Sequence, residues 1–101
     1  MGEGDRRLVW SRDAEEDLLL VWRYGEEEWS ATLADDHERA IWRVCLRLVN
    51  HPHFGSRGDE LIVGLRSSLA DPHFVFYNVS AHAIEMVRVV HQSEDVDAIF
   101  N

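Results

Sequence analysis

The chain contains no lysine, one cysteine and two prolines among its 101 residues. Without lysine, all ten cations are arginine, so planar bidentate donors for carboxylate and phosphate are present but no ammonium can shuttle a proton. The single cysteine, Cys45, falls at an apolar helical position. It excludes a disulfide framework and a thiolate metal cluster, and reads as a small buried hydrophobe. No apolar run approaches the roughly 20 residues needed to span a bilayer, so no membrane association is expected. The opening Met1-Gly2-Glu3-Gly4-Asp5 is too acidic for a secretory signal, and a cytoplasmic protein is expected. Cations are also scarce against anions: nineteen carboxylates and ten arginines give a net charge of −9. A field of that sign repels nucleic acid, and direct nucleic-acid binding is not expected. The length leaves room for one domain, residues 1–101, with one core.

What is present reads as a short strand, two helices and three strands. Leu8-Val9-Trp10 is β-like, and Ser11 stands as an N-cap with Asp13, Glu15 and Glu16 complementing the dipole of the first helical turn. Ala14, Leu18, Val21, Trp22, Gly25 and Trp29 then form a stripe at 3.6 periodicity, and Gly25 within it marks close approach by a neighbouring element. Ser30 caps a second helix with Leu33, His37, Ala40, Ile41, Val44 and Leu48 on one face, ending near Asn50-His51-Pro52. So short a link between the helices demands an antiparallel hairpin. Residues 53–63, with Gly55, Gly58 and Asp59-Glu60, read as a loop with little structure of its own.

From Gly64 onward the pattern changes to period 2. Leu65-Arg66-Ser67-Ser68, Phe74 to Val79 and Ile84 to His91 are strand-like runs separated by turn residues, and they make an antiparallel meander. The predicted architecture is α+β, in the order β-α-α-β-β-β, with the helical hairpin on one face of a small antiparallel sheet. Alternation places Ile84, Met86 and Val90 on one face with Arg88, and Val87 and Val89 on the other; Phe74 and Phe76 oppose Val75, Tyr77 and Val79. One layer of helices covers one apolar face. The other is expected to be bare and to need a partner segment, unless loops and the C-terminal tail fill it.

Arg66, Tyr77, Arg88 and His91 are the polar sheet residues that could converge. Metal-free RNA cleavage would need cations around the phosphorane-like transition state and a general acid and base, which these side chains can partly supply. The structural alternative pairs the arginines with carboxylates such as Glu85 or Glu60 and leaves Tyr77 at the core edge with its hydroxyl at the surface. Six histidines, His37, His51, His53, His73, His82 and His91, lack the i, i+4 helical pairing of a zinc protease, so neither a metal nor any other cofactor is expected. Ser67 and Ser68 have no nucleophile-elbow context. On the helices, Trp42 and Leu46 point away from the Ala40/Val44/Leu48 face, and Leu20 is similarly opposed to Leu18 and Val21; these three are expected to form a homo-oligomer or partner interface.

The order of these pieces resembles the ParE branch of the RelE/ParE bacterial toxins. The likeness runs from Val9-Trp10-Ser11 to Phe100. It rests on the Ser11 to Trp22 opening, the Trp29-Ser30 junction, Asn50 to Gly55, and Asp59-Glu60-Leu61 followed by Gly64-Leu65-Arg66-Ser67. His73 to Tyr77, Ile84 to His91, and Gln92-Ser93 to Phe100 complete it. Asn78 departs from the pattern, standing where relatives often have arginine after the strand tyrosine, and the acidic balance departs from toxins that are commonly basic.

The resemblance implies the toxin of a type II toxin-antitoxin pair, of the kind associated with plasmid stabilisation. Such a toxin poisons DNA gyrase by protein-protein contact so that cleaved DNA persists, and is neutralised by a ParD-like antitoxin whose C-terminal segment wraps around it. On this basis Arg66, Tyr77, Arg88, His91, Asp95, Ile99 and Phe100 are expected on the surface that faces target or antitoxin. The alternatives are a RelE-like ribosome-dependent mRNA endonuclease, in which Arg66, Tyr77, Arg88 and His91 would be catalytic, and an inactive antitoxin-binding module. The endonuclease branch often uses lysine, which this chain lacks.

Overall fold

Ser11 starts the first helix as its position predicts, accepting the Ala14 N–H on Oγ and the Glu15 N–H on its carbonyl, each at 3.0 Å. The computed structural model describes residues 6–28 and 31–100. Along the chain come β1 (Arg7–Trp10), α1 (Arg12–Glu28), α2 (Ala31–Asn50), β2 (Ser56–Arg57), β3 (Arg66–Ala70), β4 (His73–Val79), β5 (Ala83–His91) and α3 (Val96–Phe100). The expected Ser30 cap and the Trp29 stripe position lie outside what is described, and Gly25 falls within α1. No helix among the described residues is long and apolar enough to cross a membrane.

The strands form one sheet in the order β1-β5-β4-β3-β2. The β3-β4-β5 meander is antiparallel as expected, but β1 runs parallel to β5, from Arg7↔Ala83 to Trp10↔Met86, and makes the sheet mixed. Parallel neighbours need a long crossover between them, and here the helical hairpin and the rest of the sheet lie between β1 and β5. Residues 53–63 are also more ordered than their composition suggests. Ser56 and Arg57 pair with Ser67 and Arg66, adding a fifth strand. Asp59 then braces the following turn, accepting the Gly64 N–H and the Arg57 Nε–H at 2.8 Å each. Those bonds, Gly64 first, hold its carboxyl below the usual range. Gly64 sits at φ 87°, where a side chain would be strained.

Both helices bury their stripes on one sheet face. Ala14, Ile41, Val44, Cys45 and Leu48 meet Ala70, Val75, Tyr77, Ile84, Met86 and Val89, with Leu8, Leu18 and Val21 closing the margin. Ile41 and Leu48 are fully buried, so truncating either to alanine would cost about 2–5 kcal/mol. Cys45 is the buried hydrophobe its position predicts, and burial pushes its thiol up to about 12.

Two expectations about the sheet faces are corrected. A bulge opposes Val87 and Arg88 to Phe76, because Tyr77 pairs with Met86 while Phe76 pairs with Arg88. The extra residue shifts the alternation by one, so Val89 joins Ile84 and Met86 against the helices, and Val90 and Val87 go to the outer side. The outer face is not bare either. Leu65, Phe76 and Val90 are buried there beneath Leu61 and the tail residues Val96, Ile99 and Phe100, with the Phe76 and Phe100 rings 4.9 Å apart. Asp95 caps α3 by accepting the Asp97 N–H at 3.1 Å, which turns Ile99 and Phe100 back onto the sheet.

Candidate functional site: a protein-contact surface

The polar residues singled out on the sheet separate into two places. At one corner, Tyr77 lies within the helix-side core, fully buried. Its hydroxyl donates to the Pro52 carbonyl at 2.9 Å and accepts the Gly55 N–H at 3.0 Å. Arg66, cross-strand from Tyr77, donates through Nη1 to the Gly55 carbonyl at 2.9 Å and to the His53 carbonyl at 3.4 Å. Both side chains therefore pin the segment that follows α2. The expected exposed Tyr77 hydroxyl is corrected: it faces inward, burial raises its pKa, and Tyr77 presents nothing to a partner.

The second place lies past the end of β1. That strand stops opposite Met86, so β5 from Val87 onward has no strand neighbour on that side among the described residues, and polar groups of α1 and its cap take over. Ser11 Oγ donates to the Val87 carbonyl at 2.9 Å. Asp17 accepts the Val89 N–H at 2.9 Å and forms a bidentate pair with Arg88, at 2.7 Å from Nε and 3.0 Å from Nη2. The Asp17 hydrogen bond holds the Arg88 pKa above its ordinary value. Arg88 thus pairs with Asp17, not with Glu85 or Glu60. Periodicity could not show this, because Asp17 lies 71 residues earlier in the chain.

Next to this pair is a cleft of about 840 Å³ lined by residues that include Tyr24, His37, His73, Arg88, His91 and Glu94. His73 is buried, and its ring stands edge-on to His37 and His91 with centroids 5.6 and 5.3 Å away. Its Nδ1 has no hydrogen-bond partner among the described residues. Burial, then the neighbouring His91 and His37, lowers its pKa to about 4. His91 Nδ1 is within 2.8 Å of Ser93 Oγ. Even so, no three His, Cys, Asp or Glu among the described residues are arranged to hold a metal ion.

These groups do not converge on one reacting centre. Arg66 pairs with Tyr77, whereas His91 pairs with His73, four residues along β4 and so roughly 13 Å away. Arg88 projects to α1 and Tyr77 into the core. Ile99 and Phe100 lie on the other side of the sheet, half-buried on Phe76 and its neighbours, and Asp95 is exposed at the start of α3. On the helices, Leu20 and Leu46 are each 59% exposed and Trp42 37%, with Trp42 leaning on Trp10 at 5.2 Å. The arrangement offers contact surfaces, with most of its hydrogen-bonding side chains already committed to the fold.

Comparison with known proteins places this architecture. A family model described as the ParE toxin of type II toxin-antitoxin system, parDE, matches residues 8–96. The chain is 34% identical over 88 residues to a protein named Toxin ParE1 from Caulobacter vibrioides, covering 87% of this chain and 91% of that one. It is 32% identical over 92 residues to Toxin ParE1 of Mycobacterium tuberculosis, covering 90% and 94%. A solved structure described as the chromosomal ParDE TA system from P. aeruginosa shares the fold with a TM-score of 0.74 at 18% identity, over 87% of this chain and 97% of that chain. With a matched span that takes in β1, the helical hairpin and the whole meander, the chain belongs to the ParE toxin family of type II toxin-antitoxin systems.

Proposed function

We propose that this chain is a cytoplasmic toxin that inhibits DNA gyrase by protein-protein contact and is neutralised by a ParD-like antitoxin. The observation that carries the choice of contact over catalysis is the internal use of Arg66, Tyr77 and Arg88. A ribonuclease would need those groups free to meet a scissile phosphate. Here Tyr77 and Arg66 hold the segment from Pro52 to Gly55, and Arg88 is neutralised by Asp17. The surface left for target or antitoxin is then the partly exposed His91 and the tail from Asp95 through Ile99 and Phe100, with the outward edges of Arg66 and Arg88. Relatives named ParE1 and a fold neighbour from a ParDE system support an antitoxin partner.

A supercoiling assay with purified chain and purified gyrase tests this. Supercoiling should stall, with cleaved DNA accumulating, as the chain is titrated in. Unimpaired gyrase at large excess of the chain, together with normal growth of cells expressing it without an antitoxin, would reject the proposal.

A further inference from the structure

Residues 39–58 contain four arginines and two histidines but no aspartate or glutamate, so all nineteen carboxylates of this acidic chain lie elsewhere. The net charge conceals a segregated cationic stretch. Its second half folds into one corner of the molecule, where the last turn of α2 meets the segment leading to β2 and the β2–β3 edge of the sheet. The His51 N–H donates to the Arg47 carbonyl at 2.8 Å and the Phe54 N–H to the His51 carbonyl at 3.0 Å, which turns Phe54 back toward α2. The Arg47 guanidinium lies over the Phe54 ring, 5.1 Å from its centroid, yet Phe54 stays 58% exposed. One face of the ring carries a cation and the other is left to solvent.

Arg57 and Arg66 stand directly opposite each other on β2 and β3, a like-charged pair that costs the sheet stability. Asp59 offsets Arg57, but its two oxygens are already taken by the Arg57 Nε–H and the Gly64 N–H. Arg66 donates through Nη1 alone, to the Gly55 and His53 carbonyls, and its Nε and Nη2 make no hydrogen bond among the described residues. Arg47, His51, His53, Phe54 and Arg57 are all exposed. The backbone that carries them is fixed, because the Tyr77 hydroxyl holds the Pro52 carbonyl and the Gly55 N–H. Little backbone order is then lost when a ligand binds. Planar guanidinium donors suit phosphate oxygens, and an exposed ring among them suits a base.

We propose that this corner binds a single strand of nucleic acid, with backbone phosphates on Arg47, Arg57 and Arg66 and an unpaired base stacked on the open face of Phe54. The whole-chain charge argues against nucleic acid, but a phosphate meets the local field, and here that field is positive. No cleavage accompanies binding, since the Tyr77 hydroxyl and Arg66 Nη1 stay committed to the fold. DNA and RNA strands share this chemistry.

The test titrates the full chain into labelled oligothymidylate and oligouridylate, each about 12 nucleotides long, and reads fluorescence anisotropy at several salt concentrations. The two oligomers separate a DNA from an RNA strand, and binding of either supports the proposal. The logarithm of affinity should fall with the logarithm of salt at a slope of about −2, as expected for three arginines on a single strand. Arg47→Gln should make that slope shallower by about 0.7, whereas Phe54→Ala should weaken binding at least about fivefold with the slope unchanged. Arg12→Gln, which removes an exposed arginine at the start of α1, should bind like the parent. Circular dichroism checks the fold of each variant. Absence of binding at low salt, undiminished binding by Phe54→Ala, equal losses in Arg12→Gln and Arg47→Gln, or equal binding of polyglutamate would each overturn the proposal. No gyrase is present in the titration, so its outcome is independent of the gyrase contact.

Discussion

Replacing Tyr77 with phenylalanine removes a single hydroxyl and should destabilise the protein by about 2–3 kcal/mol. That hydroxyl joins β4 to two backbone groups of the segment after α2, the Pro52 carbonyl at 2.9 Å and the Gly55 N–H at 3.0 Å. The ring stays packed in the phenylalanine variant, so little is lost from apolar burial. The cost arises because a donor and an acceptor are stranded, at about 1–3 kcal/mol for each buried group left unsatisfied. Pro52 is buried and Gly55 half-buried, so the carbonyl should carry the larger share and the amide should recover some hydration. A domain of this size loses about 4–8 °C of Tm for each kcal/mol, so Tm should fall by roughly 10–20 °C. Gly55 supplies the control. A Cβ there would run into the Ser67 carbonyl and the Tyr77 hydroxyl itself, so Gly55→Ala should be comparably destabilised. Urea unfolding followed by tryptophan fluorescence measures both. A Tyr77→Phe variant within about 0.5 kcal/mol of the parent, at unchanged m, would refute the idea that this hydroxyl fastens the segment.

Three further outcomes follow from the same geometry. Asp17→Asn should cost about 2 kcal/mol, because it weakens the bonds to Arg88 and to the Val89 N–H at a carboxylate only 10% exposed; a double-mutant cycle with Arg88→Ala showing no coupling would contradict the pairing. Stability should fall as pH drops from about 6.5 toward 4, because His73 is neutral in the folded state down to about 4 while the unfolded chain takes up a proton near 6.5. That loss should approach about 3 kcal/mol and flatten in His73→Phe; equal slopes for parent and variant would show that other groups set it. Phe100→Ala should raise dye binding to exposed apolar surface and cost about 1–2 kcal/mol, since the ring is half-buried on Phe76; no change in either would mean the tail does not cover the sheet.

The elements were legible wherever local pattern decides. The Ser11 cap, the stripes that place Ala14, Ile41, Val44 and Leu48 on the sheet, and the period-2 runs from Arg66 to His91 follow from spacing alone. Partners distant in sequence were not legible. Nothing near Tyr77 announces Pro52 or Gly55, and nothing near Arg88 announces Asp17, so both polar groups looked available when they are engaged. The bulge at Val87 and Arg88 was hidden for a related reason: both faces of β5 are apolar, so a one-residue shift leaves no break in the pattern. The tail carries a helical signal of its own. Asp95 before Val96, with Ile99 and Phe100 one turn on, is an N-cap followed by an apolar helical face. The family resemblance held because it depended on the order of elements, which these long-range bonds leave unchanged.

Cells expressing the chain without an antitoxin distinguish a family toxin acting through surface contact from one acting through chemistry of its own. Mapping broken chromosomal DNA and ribosome-bound mRNA in the same culture separates the two modes. Contact with gyrase predicts double-strand breaks with intact messages. Messages cut within the ribosome, lost in an Arg66→Ala variant that still folds, with an unbroken chromosome, would contradict the account.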